Sequence, residues 1–427
     1  MKVKKLNIKS YRYLENVNFD FTYPEGHEKA GQPLDKICII GQSATGKTGI
    51  LELLKHNVSM LTEMEVANGK QLFGYPDLKF DGQLEFSLDS GSILIKNDHI
   101  VRNGNVLPVL ENGGGSISRL VDESIRLLYF SSEIISKEVI SVLDKNPLDI
   151  LTLFSEQPPK VYTTRYGYLH DVHEFSYEFN KELWLSLLNQ ILEYRKRFTQ
   201  FAAELLKKGA IADLDRLNRQ YKEWTSANEN PLISFAKNFN PVLGKLNLEV
   251  DLSNTEYPVP IRSKINDEIV PISGLSTGTK GLLLSLFPLS QLDTDQSIII
   301  VDEPERSLFP DLQIDLISHY QKLAPTAQFI VATHSPFIAA AFEPEERFIL
   351  YFDIDGKVVV RKGESPIGDD PNDMLRNDFD VDYYNKFGKE AYQRYLDLKR
   401  RMSQETEPDK KKDLLVELTK LGDKYNF

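Results

Sequence analysis

A chain of 427 residues has room for two or three structural units at about 150 residues each. Hydrophobic residues make up 41% and charged residues 27%, ordinary globular values, and no apolar run reaches the roughly 18 residues of a membrane span, so the composition favours neither a disordered chain nor a membrane protein. The net charge of -12 argues against nonspecific wrapping of nucleic acid, whose affinity comes from phosphate neutralisation, but leaves room for a local basic groove.

The start, M-K-V-K-K-L, is basic without the apolar segment of a secretory signal, so the expectation is a cytoplasmic protein with no membrane partner. The opening run to Phe21 alternates apolar and polar residues in two short stretches, the pattern of a hairpin with one buried face. Asp35 to Ile40 reads as a buried strand ending in glycine, and Gly46 to Met60 as a helix. The single cysteine, Cys38, falls inside that strand, which excludes an intrachain disulfide and a multi-cysteine zinc site. From Leu72 to Leu110 short alternating runs broken by D-G, D-S-G and N-G turns predict an antiparallel meander, followed by a loop at glycines 113 to 115 and a strand ending at Phe130.

Between Glu182 and Trp224 apolar residues recur at helical spacing without proline, which predicts two long amphipathic helices. Residues 181–224 hold nine Lys/Arg against six Asp/Glu, a mildly basic insertion without the sustained heptads of a long coiled coil. Strand patterns return at L-N-L-E-V-D-L and in a hairpin around Asn266-Asp267. Thereafter an apolar helix, the strand S-I-I-I-V-D-E, a helix from about Pro310 and the strand Q-F-I-V-A-T-H alternate, as in a parallel sheet with crossovers. A hairpin, Phe348 to Val360, and charged helices close the chain. The expected division is 1–140, half of the catalytic unit with the meander; 141–245, a helical insertion; 246–345, the other half; and 346–427, hairpin and helices.

The segment Gly41-Gln42-Ser43-Ala44-Thr45-Gly46-Lys47-Thr48 fits G-x-x-x-x-G-K-[ST] and lies between a predicted strand and a predicted helix. Such a loop wraps nucleotide phosphates with backbone N–H groups; Lys47 reaches the β/γ-phosphates and Thr48 offers its hydroxyl to Mg²⁺. Asp302 and Glu303 stand at the carboxyl end of the apolar strand Ile298–Val301, where Asp302 can hold the hydration shell of Mg²⁺ and Glu303 can deprotonate the attacking water; a turn that caps the next helix is the plain alternative. His334 follows Asp302 by 32 residues, one strand–helix unit, and so reaches the same sheet edge, where it can sense a γ-phosphate. Ser276, Gly278 and Lys280 belong to a small-residue loop opening an apolar helix, either a simple N-cap or a second place for an anion.

Taken together and in order, G-Q-S-A-T-G-K-T, L-S-T-G-T-K, I-I-I-V-D-E-P-E-R-S-L-F-P and A-T-H-S-P resemble the ABC-type ATPases, specifically their SMC, RecF and OLD-like (AAA15/AAA21) branch. The resemblance implies an α/β P-loop ATPase using ATP and Mg²⁺, with an antiparallel meander and a short coiled-coil-like helical insertion. It implies that Ser276 and Gly278 contact the γ-phosphate of ATP held by a second copy, so that two chains form composite sites in a homo-oligomer. Glu303 would be the catalytic base, His334 the switch histidine, and Ser307-Leu308 the loop crossing the dimer interface. Arg12 matches a basic position of the family's first strand and reads equally as a phosphate contact or a surface arginine.

The chain departs from the pattern in two places. Thr277 and Thr279 stand where transporters have glycine and glutamine, and Ser131-Ser132-Glu133 replaces the glutamine expected after R-L-L-Y-F. Asp353-x-Asp355 reads as a hairpin turn rather than a nuclease pair, His170-x-x-His173 lacks further ligands for zinc, and Lys410 to Lys412 read as a solvated helix face. Standalone ATPases of this branch are similar to the ATPase components of phage-defence systems such as the PARIS and Septu types. That implies a separate effector protein, such as a nuclease; the alternative is a repair or recombination ATPase resembling RecF or Rad50 that clamps DNA directly.

Overall fold

The computed structural model describes residues 1–63, 80–96, 100–106, 125–156, 170–207, 213–381 and 386–425. The opening hairpin is formed by β1 (Lys2–Tyr11) and β2 (Leu14–Asp20), with Arg12 in the left-handed region at its turn. Next, β3 (Lys36–Gly41) leads through the glycine-rich loop into α1 (Lys47–Glu63). The meander comprises β4 (Asp81–Leu88), β5 (Gly91–Lys96), β6 (Ile100–Arg102) and β7 (Asn105–Val106). It joins the hairpin through β1·β4 in one six-stranded antiparallel sheet of order β2-β1-β4-β5-β6-β7. The expected strand residues at 72–79, 97–99 and 107–110 and the loop at glycines 113 to 115 lie outside the described residues.

Then follow β8 (Ile125–Phe130), α2 (Lys137–Leu143), α3 (Pro147–Glu156), β9 (His170–Phe175), α4 (Lys181–Lys207), α5 (Leu214–Ala227) and α6 (Leu232–Gly244). A small sheet of β10 (Leu248–Val250), β11 (Ile261–Ser263) and β12 (Ile269–Val270) precedes α7 (Thr277–Gln291) and β13 (Ile298–Asp302). The helix expected from Pro310 is broken at Asp315 into α8 (Pro310–Ile314) and α9 (Leu316–Leu323). The chain continues through β14 (Gln328–Thr333), α10 (Pro336–Ala339), β15 (Arg347–Phe352), β16 (Val358–Lys362) and α11 (Pro371–Asn377). It closes with the helical hairpin of α12 (Lys386–Gln404) and α13 (Pro408–Tyr425).

Seven strands in the order β16-β15-β3-β14-β13-β8-β9 build the central sheet, parallel except for β16. Every residue of β13 and β14 is buried, as a strand covered on both faces requires. Alternate residues divide between two cores. Ile37, Ile39, Ile298, Ile300 and Ile330 pack with α1 and the antiparallel sheet, whereas Cys38, Ile40, Ile299, Val301 and Val331 pack with the helices from α2 onward. Burial also pushes the Cys38 thiol well above its ordinary range, which suits an inert core residue.

Sheet membership differs from the expected division at two places. Strand β9 lies inside the stretch 141–245 expected to be helical, yet pairs in parallel with β8 at the sheet edge. The hairpin assigned to 346–427 supplies β15, which pairs in parallel with β3 beside the glycine-rich loop. Local alternation marks a strand but does not name its neighbour; that choice belongs to burial against the rest of the chain.

Gln328, fully buried at the start of β14, fastens the two sheets. Its Oε1 accepts from the Val3 N–H at 2.7 Å, and its Nε2 donates to the Val3 and Leu34 carbonyls at 2.9 Å each. Gln328→Leu keeps the volume and removes every partner, so it is expected to destabilise the fold by about 1–3 kcal/mol for each group left unsatisfied. Urea unfolding monitored by circular dichroism checks this as a lowered midpoint.

Candidate active site

The phosphate loop is built between β3 and α1. Gly46 has φ +92°, which only glycine adopts without strain, while Ala44 is held in the left-handed region at φ 65°. The Thr45 hydroxyl, buried, donates to the Gln42 carbonyl at 2.8 Å and closes the loop from within. Lys47 is buried as well, and its Nζ donates to the Gly41 and Gln42 carbonyls at 2.7 and 3.0 Å. Burial brings its pKa down to about 8, opposed by the nearby carboxylates of Glu303, Asp302 and Glu305. Ser43 and Ala44 remain exposed at the rim, so the loop shows solvent its backbone at the start of a helix.

Strand β13 brings the acidic pair to this loop. The Thr48 hydroxyl donates to Asp302 Oδ2 at 3.0 Å across 254 positions of sequence. Desolvation, reinforced by Glu303 and Glu305, lifts the Asp302 carboxyl to about 6; the Thr48 hydrogen bond and Lys47 act in the other direction. Glu303 leaves the strand in the left-handed region, φ 48°, while its N–H still donates to the Ala332 carbonyl of β14 at 2.9 Å. The histidine at the end of β14 then faces it, with His334 Nε2 3.6 Å from Glu303 Oε1. Burial lowers the imidazole pKa, an effect shared by Lys47 and opposed by Glu303, which favours the neutral ring that can donate or accept. Asp302 and Glu303 also line a cavity of about 270 Å³ that extends toward Ser132, Thr277 and Tyr320.

The signature segment stands on the same turn. Ser276 is the N-cap of α7 and accepts from the Thr279 N–H at 3.2 Å. Gly278 is buried, and a Cβ built there would lie 2.3 Å from the Ser307 carbonyl oxygen, so glycine allows α7 to seat on the turn that follows Glu303. Ser307 itself is left-handed, φ 64°. Ser276 and Thr277 are exposed and Lys280 is half-buried. Thus Gly278 packs within its own chain, while the face offered outward consists of Ser276 and Thr277.

Arg12 lies against α1, with Nη2 3.1 Å from Glu52 Oε2 and its guanidinium over the Tyr11 ring. Two residues at the site carried no local signal in the sequence. The Tyr13 hydroxyl lies 3.0 Å from where a Gly46 Cβ would stand, because the β1–β2 turn folds over the phosphate loop. Arg306 Nη1 donates to the Ser132 carbonyl at 3.1 Å and is 3.8 Å from Glu133, joining the turn after Glu303 to the segment that replaces the expected glutamine.

The donor set suits Mg²⁺. Thr48 and Asp302 offer hard oxygens side by side. That matches an ion that keeps several waters and is held by one or two protein oxygens together with substrate phosphates.

None of the curated proteins compared with the chain matches it. Among solved structures, the Smc head bound to the C-winged helix domain of ScpA is 14% identical, with 85% of this chain and 97% of that chain covered and a TM-score of 0.41. The Smc head with an extended coiled coil bound to the C-terminal domain of ScpA, from Pyrococcus furiosus, is 15% identical, covers 84% and 96%, and gives 0.39. The SMC head domain from Thermotoga maritima is 14% identical, covers 86% and 100%, and gives 0.39. The family model described as AAA ATPase domain (AAA_15) matches residues 116–339, just over half of the chain, and that stretch contains the signature, the acidic pair and His334. The chain therefore belongs to the AAA_15 family of ATPase domains and is an ATP-hydrolysing enzyme.

Proposed function

We propose that two copies of the chain close around ATP, each supplying the phosphate loop of one site and the signature helix of the other, and that this closure controls a separate effector. The observation that carries the dimer reading is the seating of α7 on the turn after Glu303. Gly278 locks the helix to Ser307, which leaves Ser276, Thr277 and the 75%-exposed Phe309 on the outside. An exposed aromatic beside a helix N-terminus suits a surface that is covered when an anionic ligand arrives.

In this reading Thr48 and Asp302 hold Mg²⁺ with the phosphates, and that ion supplies charge neutralisation when bound. Lys47 releases the Gly41 and Gln42 carbonyls to take the phosphates. Glu303 accepts the proton of the attacking water, and His334 hydrogen-bonds the γ-phosphate. The Ser276 side chain and the main-chain N–H of Gly278 from one copy complete the phosphate shell of the other, with Lys280 near that helix start and Arg12 poised at the rim of the loop.

Ser276→Arg tests the composite site, because the bulky cation sits on the outward face and leaves the phosphate loop untouched. It is expected to bind ATP as the wild type does while failing to form ATP-dependent dimers in light scattering. Its turnover should also stay flat with protein concentration where the wild type rises. Equal turnover of both proteins at every concentration would refute the composite site.

The effector reading rests on the motif resemblance to standalone ATPases of phage-defence systems, the PARIS and Septu types, in which a second protein such as a nuclease acts. The arm of α4 and α5 supports a protein partner: Leu206 and Leu214, at the ends of the two helices, are exposed apolar residues on a surface of mixed charge. Direct clamping of DNA is the second reading, favoured by the basic balance of residues 181–224.

A further inference from the structure

Glu305, two residues beyond Glu303 in D-E-P-E, turns inward and takes hold of the neighbouring strand end. Its Oε1 accepts a 2.7 Å hydrogen bond from the main-chain N–H of His334. Its Oε2 is buried, and burial pushes the carboxyl pKa up against hydrogen bonds that include the His334 main chain and the Thr333 side chain. A carboxylate drawn in from water is a poor choice for filling space, because an apolar side chain would do so without the desolvation penalty. The same two turns are tied a second time: the Ser335 hydroxyl donates to Gln313 Oε1 at 2.6 Å, and Gln313 Nε2 donates to the Leu308 carbonyl at 2.7 Å. His334 stands between the two ties, with its imidazole 3.6 Å from Glu303.

We propose that Glu305 is a positioning residue for ATP hydrolysis: by gripping the His334 main chain it sets the imidazole against Glu303 and against the incoming γ-phosphate. The proposal rests on the reading of Glu303 and His334 as the catalytic pair. Glu305 touches neither water nor phosphate in this scheme and acts through the histidine alone.

The test compares Glu305→Ala, Glu305→Gln, His334→Ala and the double variant Glu305→Ala/His334→Ala in the full-length protein, by single-turnover ATP hydrolysis and by ATP affinity. Glu305→Ala is expected to slow hydrolysis by about 10²-fold, the loss that an ångström of misplacement brings, with affinity almost unchanged. Glu305→Gln keeps an acceptor oxygen for the His334 N–H and should recover most of that loss. In the double variant, losing Glu305 should add little to the loss of His334, because both changes disable one unit. Wild-type hydrolysis by Glu305→Ala, a full additional loss in the double variant, or a fall in affinity that tracks turnover would each overturn the proposal. Wild-type hydrolysis by His334→Ala would remove the catalytic reading of the histidine first, and that failure is seen without reference to Glu305.

Discussion

Glu303→Gln is expected to bind ATP about as tightly as the wild type and to hydrolyse it about 10²- to 10⁴-fold more slowly, the usual worth of general-base assistance. The amide keeps the shape of the carboxylate on a left-handed backbone that already ends the strand, so the turn through Ser307 need not move. What it loses is the capacity to take the water's proton. Asp302→Asn is the internal contrast: Asp302 accepts the Thr48 hydroxyl at 3.0 Å, so its change should weaken Mg²⁺-dependent binding along with turnover. Single-turnover hydrolysis and nucleotide titration of the two variants separate these roles. The trapped Glu303→Gln protein also serves as bait: ATP-dependent capture of a protein encoded beside it supports the effector reading, whereas ATP-dependent, salt-sensitive retention of DNA supports the clamp. Near-wild-type hydrolysis by Glu303→Gln would remove Glu303 as the base.

Lys47→Ala is expected to reduce ATP affinity by about 30- to 4,000-fold, since truncating one partner of a buried charge pair costs about 2–5 kcal/mol and each 1.4 kcal/mol is tenfold. In the free protein Lys47 Nζ holds the Gly41 and Gln42 carbonyls, so the ammonium already sits where the phosphates must come. Its removal leaves the Thr45–Gln42 closure intact, and the loop should keep its form without nucleotide. Isothermal titration with ATP and Mg²⁺ gives the affinity. The rise in melting temperature that ATP confers on the wild type should disappear at the same nucleotide concentration. A variant still stabilised by ATP to the wild-type extent would show that the phosphates are held elsewhere.

The glycine-rich loop, the acidic pair and the histidine were all legible in the sequence, because each is a short motif whose chemistry demands particular residues at fixed spacing beside a strand of readable pattern. The 32-residue interval from Asp302 to His334 even placed two of them on one sheet edge, since a single strand–helix unit has a nearly constant length. Other features depended on contacts that no local pattern carries. Sheet order is one: β9 and β15 join the central sheet through parallel pairing with strands far away in sequence, and Gln328 reads as an ordinary polar residue until Val3 and Leu34 surround it. Gly278 stands out in its motif, but only the tertiary structure shows why its Cα bears no side chain: the Ser307 carbonyl of its own chain lies against it, with Ser276 and Thr277 facing outward. The second glutamate of D-E-P-E was likewise silent in the sequence, because what distinguishes Glu305 is the His334 N–H that folding brings within 2.7 Å. Sequence thus determined which chemical groups this ATPase carries, since side-chain identity and local spacing are written in it. Only the tertiary structure decided which of them meet, because a hydrogen bond or a close backbone approach is set by the burial of surfaces distant along the chain.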